Sequence, residues 1–418
     1  MNLTIVGAGY VGIATGVCFA SKGHRILFID IDQKKVDQIN KGIPPIYEEG
    51  LKELLIKNKE RIKATTDYTP GLESSAITFL CLGTPLGDDG SIDLSFITTA
   101  ATEMARIMKR GHVVVVKSTV VPGTTRDIIL PLLEKESGKK AGTDFSVVMN
   151  PEFLREGKAI YDFMHPDRII LGVADLKSEN ILKELYEPFH VPILKTTVTE
   201  AEMIKYASNA LLATKISFAN EIGNLCKKID IDVYTVMKGV GMDHRISPHF
   251  LEAGIGFGGS CFPKDIQALI SWAQKFKVQT PLLKSIMQIN EAQPLVLIDL
   301  LEKHLPNLKN KKIGLLGLSF KEDTDDIRES RALPIVKYLI KKGAEILAYD
   351  PQAIPNFQKM YPTIQYRDSA SSVLEADAVL ILTKWDEFKT LDFSNKIVID
   401  GRNLKEAQNA KIYEGICW

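Results

Sequence analysis

Short apolar runs alternate with helical patterns through the first part of the chain. The run "LTIVGAG" leads directly into the helical stretch "VGIATGVCFASKG", and a second apolar run, "HRILFID", ends at Asp30. Further runs follow in "AITFLCLGTP", "HVVVVKSTV" and "DFSVVMNPEF". Strands that are apolar throughout and alternate with helices are typical of a parallel sheet covered on both faces. The pattern therefore predicts repeated βαβ units in this half.

The pattern becomes helical from about Thr199, where "TEAEMIKYASNALLATKISFANEIGNLCKK" predicts one long helix. Thr199 and Glu202 have the spacing of a capping box at its start. Helical pattern continues to about His304, interrupted by the glycine-rich "GFGGSCFPKD". A second strand–helix series starts at "KKIGLLGL", and in it "AEILAYDP" ends at Asp350 much as the earlier run ends at Asp30. Two more strands are predicted in "DAVLILT" and "KIVID".

We expect an α/β protein with two Rossmann-like doubly wound parallel-sheet domains, joined by the long central helix and a helical middle domain. A chain of 418 residues is long enough for two or three domains. The changes of pattern place the domains at residues 1–198, 199–304 and 305–418.

Composition excludes several classes of partner. Lys plus Arg and Asp plus Glu both number 52, so the net charge gives no global signal for nucleic acid or an anionic membrane. No apolar run approaches the ~20 residues of a membrane span, and the first residues lack a secretory pattern. The five cysteines form no CxxC pair, and the histidines show no metal-binding spacing. We expect reduced thiols in a cytoplasmic protein, with no nucleic-acid, membrane or metal partner.

The segment "GAGYVG" has the GxGxxG spacing, with glycines at 7, 9 and 12. It follows a predicted strand and opens a predicted helix, and Asp30 ends the next strand. In that context the glycines allow a tight turn, close approach of a pyrophosphate and close helix–strand packing. An acidic residue at the second strand end favours ribose hydroxyls, hence NAD over NADP. A purely structural glycine turn is the alternative.

The second series carries no complete fingerprint of this kind. In "GLLGLSFKEDTDDIRES" the third glycine is missing and a long charged loop precedes the helix, so a second intact NAD site is not expected. Lys321, Arg328 and Arg331 would lie at the carboxyl ends of strands, where such sheets bind ligands. A sheet that binds nothing and a sheet that binds a different nucleotide both remain open.

Two pairs of polar residues are candidates for acid–base or oxyanion chemistry. Lys205 and Asn209 share a face of the long helix, where they could stabilise an oxyanion or form a solvated stripe. Glu152 and Glu156 follow a strand end in "NPEFLREG", where a carboxylate could act as a base. Surface glutamates at a helix start are the alternative for the second pair.

Cys261 is the cysteine with the most unusual surroundings. Its flanking glycines form a loop that can approach a substrate closely. Lys264 nearby favours the thiolate, and Asp265 could exchange protons or pair with a lysine. In an NAD-dependent enzyme, a single thiol suggests covalent capture of an aldehyde, because the adduct still carries a hydride that the nicotinamide can remove. A structural cysteine in a turn is the competing interpretation.

Several long motifs occur in register across nearly the whole chain. They are "GAGYVG", "GTP", "KSTVVPGT", "NPEFLREG", "PDRIILG", "GFGGSCFPKD", "LSFKEDTDDIRES" and "DGRN", together with the helix that carries Lys205 and Asn209. Together they resemble the UDP-glucose 6-dehydrogenases, within the UDP-glucose/GDP-mannose dehydrogenase family. The resemblance implies NAD-dependent oxidation of a sugar C6 alcohol to a carboxylate, with two NAD consumed.

The resemblance also implies roles for individual residues. Cys261 would hold the aldehyde as a thiohemiacetal and then the acid as a thioester. Lys205 and Asn209 would stabilise the charged oxygen, with Lys205 and Asp265 assisting proton transfer through water. Glu152 would activate the hydrolytic water, which Thr119 would position. Residues implied around NAD are Gly7, Gly9, Tyr10, Val11, Gly12, Asp30, Lys35, Thr84, Thr119, Glu156, Lys264 and Arg328.

The resemblance further implies a nucleotide-sugar site and a homodimer. Residues implied to line the UDP-sugar site are Glu152, Phe153, Leu154, Lys205, Asn209, Phe250, Leu251, Gly258, Lys321 and Arg402. Arg245 would reach the substrate from a neighbouring subunit of a homodimer built on the long helix. UDP-glucose is the expected substrate, and GDP-mannose or UDP-N-acetylmannosamine are the alternatives for the same chemistry. A two-electron dehydrogenase and a sensor without turnover are the competing functions.

Overall fold

The computed structural model describes residues 1–418, which form two compact units, Met1–Ser208 and Asn209–Trp418. The first unit contains an eight-stranded sheet in the order β3-β2-β1-β4-β5-β6-β7-β8. Its strands are β1 Asn2–Val6, β2 Arg25–Ile29, β3 Ile62–Thr65, β4 Ile77–Leu80, β5 His112–Val116, β6 Phe145–Met149, β7 Ile169–Gly172 and β8 Ile193–Thr196. Its helices are α1 Tyr10–Ser21, α2 Gln33–Asn40, α3 Leu51–Lys57, α4 Thr69–Ser74, α5 Ser95–Ile107, α6 Leu130–Ser137, α7 Ala159–Met164 and α8 Leu176–Tyr186.

The central strands of this sheet are buried on both faces, as the apolar runs predict. All residues of β4, β5 and β6 are buried. Val113 and Val115 belong to one hydrophobic cluster, whereas Val114 and Val116 belong to another. Alternate side chains of a strand point to opposite faces, so each face of the sheet has its own core.

The second unit contains a six-stranded parallel sheet in the order β11-β10-β9-β12-β13-β14. Its strands are β9 Lys312–Leu316, β10 Glu345–Tyr349, β11 Gln365–Tyr366, β12 Ala378–Ile381, β13 Ile397–Asp400 and β14 Ile412–Gly415. Its helices are α10 Val233–Gly241, α11 Phe262–Gln274, α12 Pro281–His304, α13 Ala332–Lys341, α14 Ile354–Met360 and α15 Ala370–Val373. The long helix α9, Val198–Lys228, is continuous across the boundary between the units. The predicted fold class is confirmed.

The structure corrects two details of the predicted elements. In the first sheet β7 pairs with β6 in the antiparallel direction, so the sheet is not parallel throughout. The strands β3, β7, β8, β11 and β14 are not among those that the apolar runs predict. Four of these five are edge strands and the fifth, β7, lies next to an edge, where strands are often short.

The capping box of α9 is also displaced from its predicted position. The amide of Glu200 donates to Thr197 Oγ1 at 3.3 Å, and the amide of Thr197 donates to Glu200 Oε2 at 2.8 Å. Thr197 and Glu200 therefore form the reciprocal cap, two residues before Thr199 and Glu202. The carboxylate of Glu202 instead accepts from the amides of Gly123 and Thr125.

Every helix is either too short or too polar to traverse a lipid bilayer.

Candidate functional site

The turn between β1 and α1 has the geometry that the GxGxxG spacing predicts. Gly7 has a φ of 95°, a conformation that favours glycine. A Cβ on Gly12 would lie 1.8 Å from the carbonyl oxygen of Gly7, so only glycine fits at this close contact. A Cβ on Gly9, in contrast, would meet nothing within 4 Å. Gly9 precedes the first residues of α1, Tyr10 and Val11, and leaves open space at a helix N-terminus, where phosphate binds well.

Asp30 lies beside this turn, just after β2. Its Oδ2 accepts from the amide of Ala8 at 2.7 Å, and its Oδ1 accepts from the amide of Asp32 at 3.0 Å. Lys35 Nζ lies 3.9 Å from Oδ2. A carboxylate oxygen can accept two hydrogen bonds, so the carboxylate of Asp30 can still accept hydrogen bonds from ribose hydroxyls. The turn and Asp30 together fit a dinucleotide.

Asp350 occupies the corresponding strand end in the second unit, but its surroundings differ. Its Oδ2 accepts from the amides of Leu318 and Ser319, at 2.7 and 3.0 Å, and from the indole of Trp385 at 3.1 Å. Asp350 is buried, and these donors fill one side of its carboxylate. The second turn is therefore filled by the protein's own groups, in agreement with its incomplete glycine pattern.

Thr84 and Thr119 meet where β4 and β5 end. Thr84 Oγ1 donates to the carbonyl oxygen of Thr119 at 2.7 Å. Ser118 Oγ donates to the carbonyl oxygen of Leu82 and accepts from its amide, both at 2.8 Å. These bonds fix the two loops side by side at the carboxyl edge of the sheet, where ligands bind in such folds.

Glu152 and Lys205 form a buried ion pair in the first unit. Lys205 Nζ lies 2.8 Å from Glu152 Oε1, and the two side chains are only 4% and 6% exposed. Glu152 Oε2 accepts from the amide of Leu154 at 2.6 Å. Burial alone would raise the pKa of Glu152, but the charge and hydrogen bond of Lys205, the amide of Leu154 and the charge of Lys117 together hold this pKa below its usual value. The carboxylate is thus kept ionised in a dry setting.

The structure excludes two alternative interpretations: glutamates at a helix start, and a solvent-exposed stripe that contains Lys205. The segment from Asn150 to Lys158 is not helical, since α7 begins at Ala159, so Glu152 and Glu156 do not stand at a helix start. Lys205 is buried, so it does not belong to a solvated stripe. Its ammonium lies 5.4 Å from the centroid of the Phe153 ring.

Asn209 and Asp265 form a second polar cluster, in the second unit. Asn209 Nδ2 donates to Asp265 Oδ2 at 2.6 Å, and Lys264 Nζ donates to Asp265 Oδ1 at 2.6 Å. Asn209 and Asp265 are both buried. The ammonium of Lys264 is therefore held by Asp265, which is the lysine pairing that the sequence suggests for this carboxylate.

Cys261 occupies the N-cap position of α11. Its side chain is partly exposed, while the other four cysteines, at 18, 81, 226 and 417, are buried. Burial raises the pKa of Cys81 and of Cys417 to about 12. A helix N-terminus favours a thiolate, and partial exposure gives access to a reactant. Cys261 therefore differs from the other four cysteines in the way that a reactive thiol requires.

The glycines before Cys261 pack against their own unit. A Cβ on Gly258 would lie 2.3 Å from the carbonyl oxygen of Glu329, and one on Gly259 would lie 2.7 Å from the ring of Phe320. The amide of Gly259 donates to the carbonyl oxygen of Arg328 at 2.9 Å. These contacts explain the glycines in a way that the sequence does not suggest. Without side chains, they let the loop before Cys261 (the thiol loop) pack directly against the charged loop that follows β9.

Comparison with known proteins assigns the whole chain. Residues 1–190 match the NAD binding domain of the UDP-glucose/GDP-mannose dehydrogenase family, residues 199–292 its central domain and residues 314–407 its UDP binding domain. The chain belongs to this family. It is 45% identical to a UDP-glucose 6-dehydrogenase of Haloferax volcanii over 431 aligned positions, which cover all of both chains.

Solved structures of the family have the same fold. A UDP-glucose dehydrogenase from Pyrobaculum islandicum superposes with a TM-score of 0.95 and 40% identity, over 100% of this chain and 98% of that one. A UDP-D-ManNAc dehydrogenase from Pyrococcus horikoshii gives a TM-score of 0.88 and 32% identity, over 100% and 99%. Membership in this family makes the chain an NAD-dependent dehydrogenase, in agreement with the turn around Gly9 and with Asp30.

The UDP binding domain of the family contributes a compact group near the thiol loop. Arg402 donates from Nε to the carbonyl oxygen of Leu382 at 2.8 Å and from Nη1 to that of Gly256 at 3.3 Å. Burial lowers the pKa of Arg402, although nearby carboxylates oppose this shift. Lys321 Nζ donates to the carbonyl oxygen of Glu322 at 3.2 Å.

The other predicted ligand residues are more dispersed. Arg328 pairs with Asp326 at 2.6 Å in the loop that contacts Gly259. Phe250 has a φ of 63° and lies edge-on to the ring of Phe262, and the neighbouring Leu251 is buried. Arg245, in contrast, is 78% exposed and pairs with Asp243 beside it. Within this chain it joins none of the clusters described above.

Three buried residues near Glu152 are not among the candidates predicted from the sequence. Lys117, Asn150 and Tyr186 form a buried hydrogen-bonded cluster. The available signal is the lysine that interrupts the apolar run "VVVVK", because an unpaired lysine is rarely tolerated at the buried end of a strand.

Two glycine substitutions are expected to separate cofactor binding from folding. Gly9→Ala places a methyl group in open space, so the melting temperature without NAD should not change, while KM for NAD should rise at least about tenfold. Gly12→Ala forces a clash with backbone and should destabilise the protein by about 1–3 kcal/mol. Thermal melts with and without NAD and initial rates measure both effects. An unchanged KM for NAD in Gly9→Ala would contradict the assignment of this turn to the pyrophosphate.

Proposed function

We propose that this enzyme oxidises the C6 alcohol of UDP-glucose to the carboxylate of UDP-glucuronate, with two NAD consumed per sugar. The observation that carries the proposal is the partly exposed Cys261 at the N-terminus of α11, in a chain whose other cysteines are buried. A dehydrogenase that stops at an aldehyde has no need of such a thiol, whereas oxidation to an acid needs a way to hold the aldehyde.

The thiol of Cys261 adds across the aldehyde C=O and forms a carbon–sulfur bond. The carbon of this thiohemiacetal still carries a hydrogen; its departure as hydride, together with loss of the hydroxyl proton to water, leaves a thioester. Water then attacks the thioester carbonyl, the carbon–sulfur bond breaks, and the carboxylate and the thiol are released. Bound NAD supplies the hydride acceptor in both oxidations, so one NAD for each hydride accounts for the four electrons.

Lys205 and Asn209 are assigned to the oxygen on C6, which gains negative charge at each stage. The ammonium of Lys205 is held beside Glu152, where its positive charge can stabilise an oxyanion. Asn209 is oriented by its bond to Asp265, so its amide is held before a substrate arrives. Asp265 assists the release of protons through water in this proposal.

Glu152 is the base that removes a proton from the attacking water, which Thr119 positions. Its burial and its ionised state support this role, because a dry carboxylate is a stronger hydrogen-bond acceptor than a solvated one.

The cofactor residues of this proposal lie mainly in the first unit. The residues assigned to NAD are Gly7, Gly9, Tyr10, Val11, Gly12, Asp30, Lys35, Thr84, Thr119, Glu156, Lys264 and Arg328. The residues assigned to UDP-glucose are Glu152, Phe153, Leu154, Lys205, Asn209, Arg245, Phe250, Leu251, Gly258, Lys321 and Arg402. The proposal keeps the domain division at 1–198, 199–304 and 305–418 for cofactor, dimer and nucleotide-sugar functions.

A homodimer built on α9 is part of the proposal. Leu211, Phe218 and Leu225 are exposed on this helix at intervals of seven residues, and they therefore share one face. An apolar stripe of this kind on the longest helix of the chain suits a second copy of the same helix. Arg245 pairs with Asp243 beside it, and its exposed side chain is accessible to a neighbouring subunit. A cytoplasmic location completes the proposal, because a catalytic thiol must stay reduced.

The sugar is tested by a panel of UDP-glucose, GDP-mannose and UDP-N-acetylmannosamine, with NADH counted per molecule of product. We expect kcat/KM for UDP-glucose to exceed the other two at least about 100-fold, because a site built for one set of hydroxyls leaves polar groups unpaired with another. A higher kcat/KM for UDP-N-acetylmannosamine would favour the activity named for the Pyrococcus horikoshii relative. No NADH with any sugar would favour a sensor.

A further inference from the structure

Lys117 is a lysine buried at the carboxyl end of β5 that has no role in the chemistry described above. Its side chain is almost fully buried, and Nζ donates to Asn150 Oδ1 at 3.0 Å and to the carbonyl oxygen of Asn150 at 3.5 Å. The ammonium also lies 5.7 Å from the centroid of the Phe163 ring. A buried lysine is costly unless something compensates for its lost hydration, so its position calls for a functional reason.

Asn150 connects Lys117 to the loop that carries Glu152. Its amide nitrogen donates to the carbonyl oxygen of Val116 at 2.9 Å, and its Nδ2 donates to that of Ile170 at 2.9 Å. Its Oδ1 accepts from both Lys117 and the hydroxyl of Tyr186. Both polar atoms of the Asn150 side chain therefore have hydrogen-bond partners. Glu152 follows only two residues later, so the position of Asn150 restricts the start of the loop that carries Glu152.

We propose that Lys117 is a positioning residue of the Glu152–Lys205 pair. Its ammonium clamps Asn150, which fixes the start of the loop that carries the carboxylate, and it adds a second positive charge to the surroundings of Glu152. This inference rests on the proposed function, in which Glu152 activates water and Lys205 binds the charged oxygen.

The charged groups around Lys117 leave Glu152 as its electrostatic partner. Burial raises the pKa of Cys81 to about 12, and burial also raises the pKa of Tyr186, so both side chains are neutral near pH 7. The remaining charged neighbours are Glu152, which attracts the ammonium, and Lys205, which repels it. Burial lowers the pKa of Lys117 to about 8, which leaves the ammonium as the main form at neutral pH.

Loss of the Lys117 charge should change the pKa of Glu152 in a definite direction. Without the charge of Lys117, the ionised form of Glu152 is less stable even though Lys205 remains, so the pKa of Glu152 rises and the acid limb of the pH profile of kcat moves to higher pH. The carboxylate is then protonated over part of the range in which the wild-type enzyme is active. A residue that only fills the core would not move this limb.

The test compares Lys117→Met with Tyr186→Phe. Lys117→Met removes the charge and one of the two hydrogen bonds that Asn150 Oδ1 accepts. We expect kcat for UDP-glucose to fall about 10–100-fold and the acid limb to move up by about one pH unit. Tyr186→Phe removes one hydrogen bond to Asn150 but no charge, so kcat should fall less than about tenfold with the acid limb unchanged. Lys117→Arg keeps the charge and should return the limb to its wild-type position.

Folding and cofactor binding are measured for each variant by thermal melts and by NAD titration of the intact enzyme. Should Lys117→Met not fold, Lys117→Gln, which is neutral but keeps a donor towards Asn150, carries the same prediction for the acid limb. A wild-type pH profile in a folded neutral variant would overturn the inference. Absence of turnover in the wild-type enzyme would instead overturn the proposed function, so the two failures are distinguishable.

Discussion

Cys261→Ser is expected to lower kcat for UDP-glucose oxidation at least about 1,000-fold, because a serine hydroxyl at neutral pH is a far weaker nucleophile than a thiolate. The aldehyde then has no efficient route to a covalent adduct, and the second oxidation fails. The cofactor residues that we propose around Gly9 and Asp30 are far from this position in sequence and lie in the other unit, so the affinity for NAD should be retained. Steady-state NADH formation and NAD titration measure the two quantities.

The control for this variant is Cys226→Ala, which changes a buried cysteine of α9 to another small apolar residue. Its kcat per folded molecule should match that of the wild-type enzyme. Cys261→Ala should be at least as inactive as Cys261→Ser. Normal turnover in either position-261 variant would rule out the covalent route.

Glu152→Gln is expected to allow both oxidations but to slow hydrolysis of the thioester. The amide is nearly isosteric with the carboxylate and can still accept from Lys205, yet it cannot take a proton from water. Rapid mixing of enzyme, NAD and UDP-glucose should therefore show a burst of two NADH per active site. A steady state about 100–10,000-fold slower than that of the wild-type enzyme should follow.

Glu152→Asp is the matched comparison, since it keeps a carboxylate on a shorter side chain and should restore part of the steady-state rate without a full burst. Thermal melts are needed for both variants, because loss of one partner from a buried ion pair can cost about 3–5 kcal/mol. A burst of one NADH, or a slow first oxidation with no burst, would show that Glu152 acts in an oxidation step and not in hydrolysis of the thioester.

The sequence predicts the parts of the site that depend on local spacing. The GxGxxG turn, Asp30 and the shared face of Lys205 and Asn209 follow from periodicity and from the order of strand, turn and helix. The sequence does not predict that Lys205 and Asn209 are buried, because their burial depends on the packing of distant segments. Nor does it predict that Cys261 lies at a helix start, because this depends on where α11 begins.

Partners that are distant in sequence could not be predicted either. The pairing of Glu152 with Lys205 joins a loop to a helix about fifty residues later, and the bond between Asn209 and Asp265 spans 56 positions. The capping box shows the limit even at short range. Thr197 and Glu200 offer the same spacing as Thr199 and Glu202, and the choice between them depends on the amides of Gly123 and Thr125, which take the second carboxylate.

The most direct test of the covalent mechanism is to identify the bond that holds the sugar between oxidation and hydrolysis. Glu152→Gln enzyme would be quenched in acid at the end of the burst, digested and mapped by mass spectrometry. We expect a UDP-glucuronyl adduct on the peptide that contains Cys261, and this adduct should be labile to hydroxylamine, as a thioester is. Recovery of that peptide with a free thiol after a full burst, or of the adduct on another residue, would contradict this mechanism.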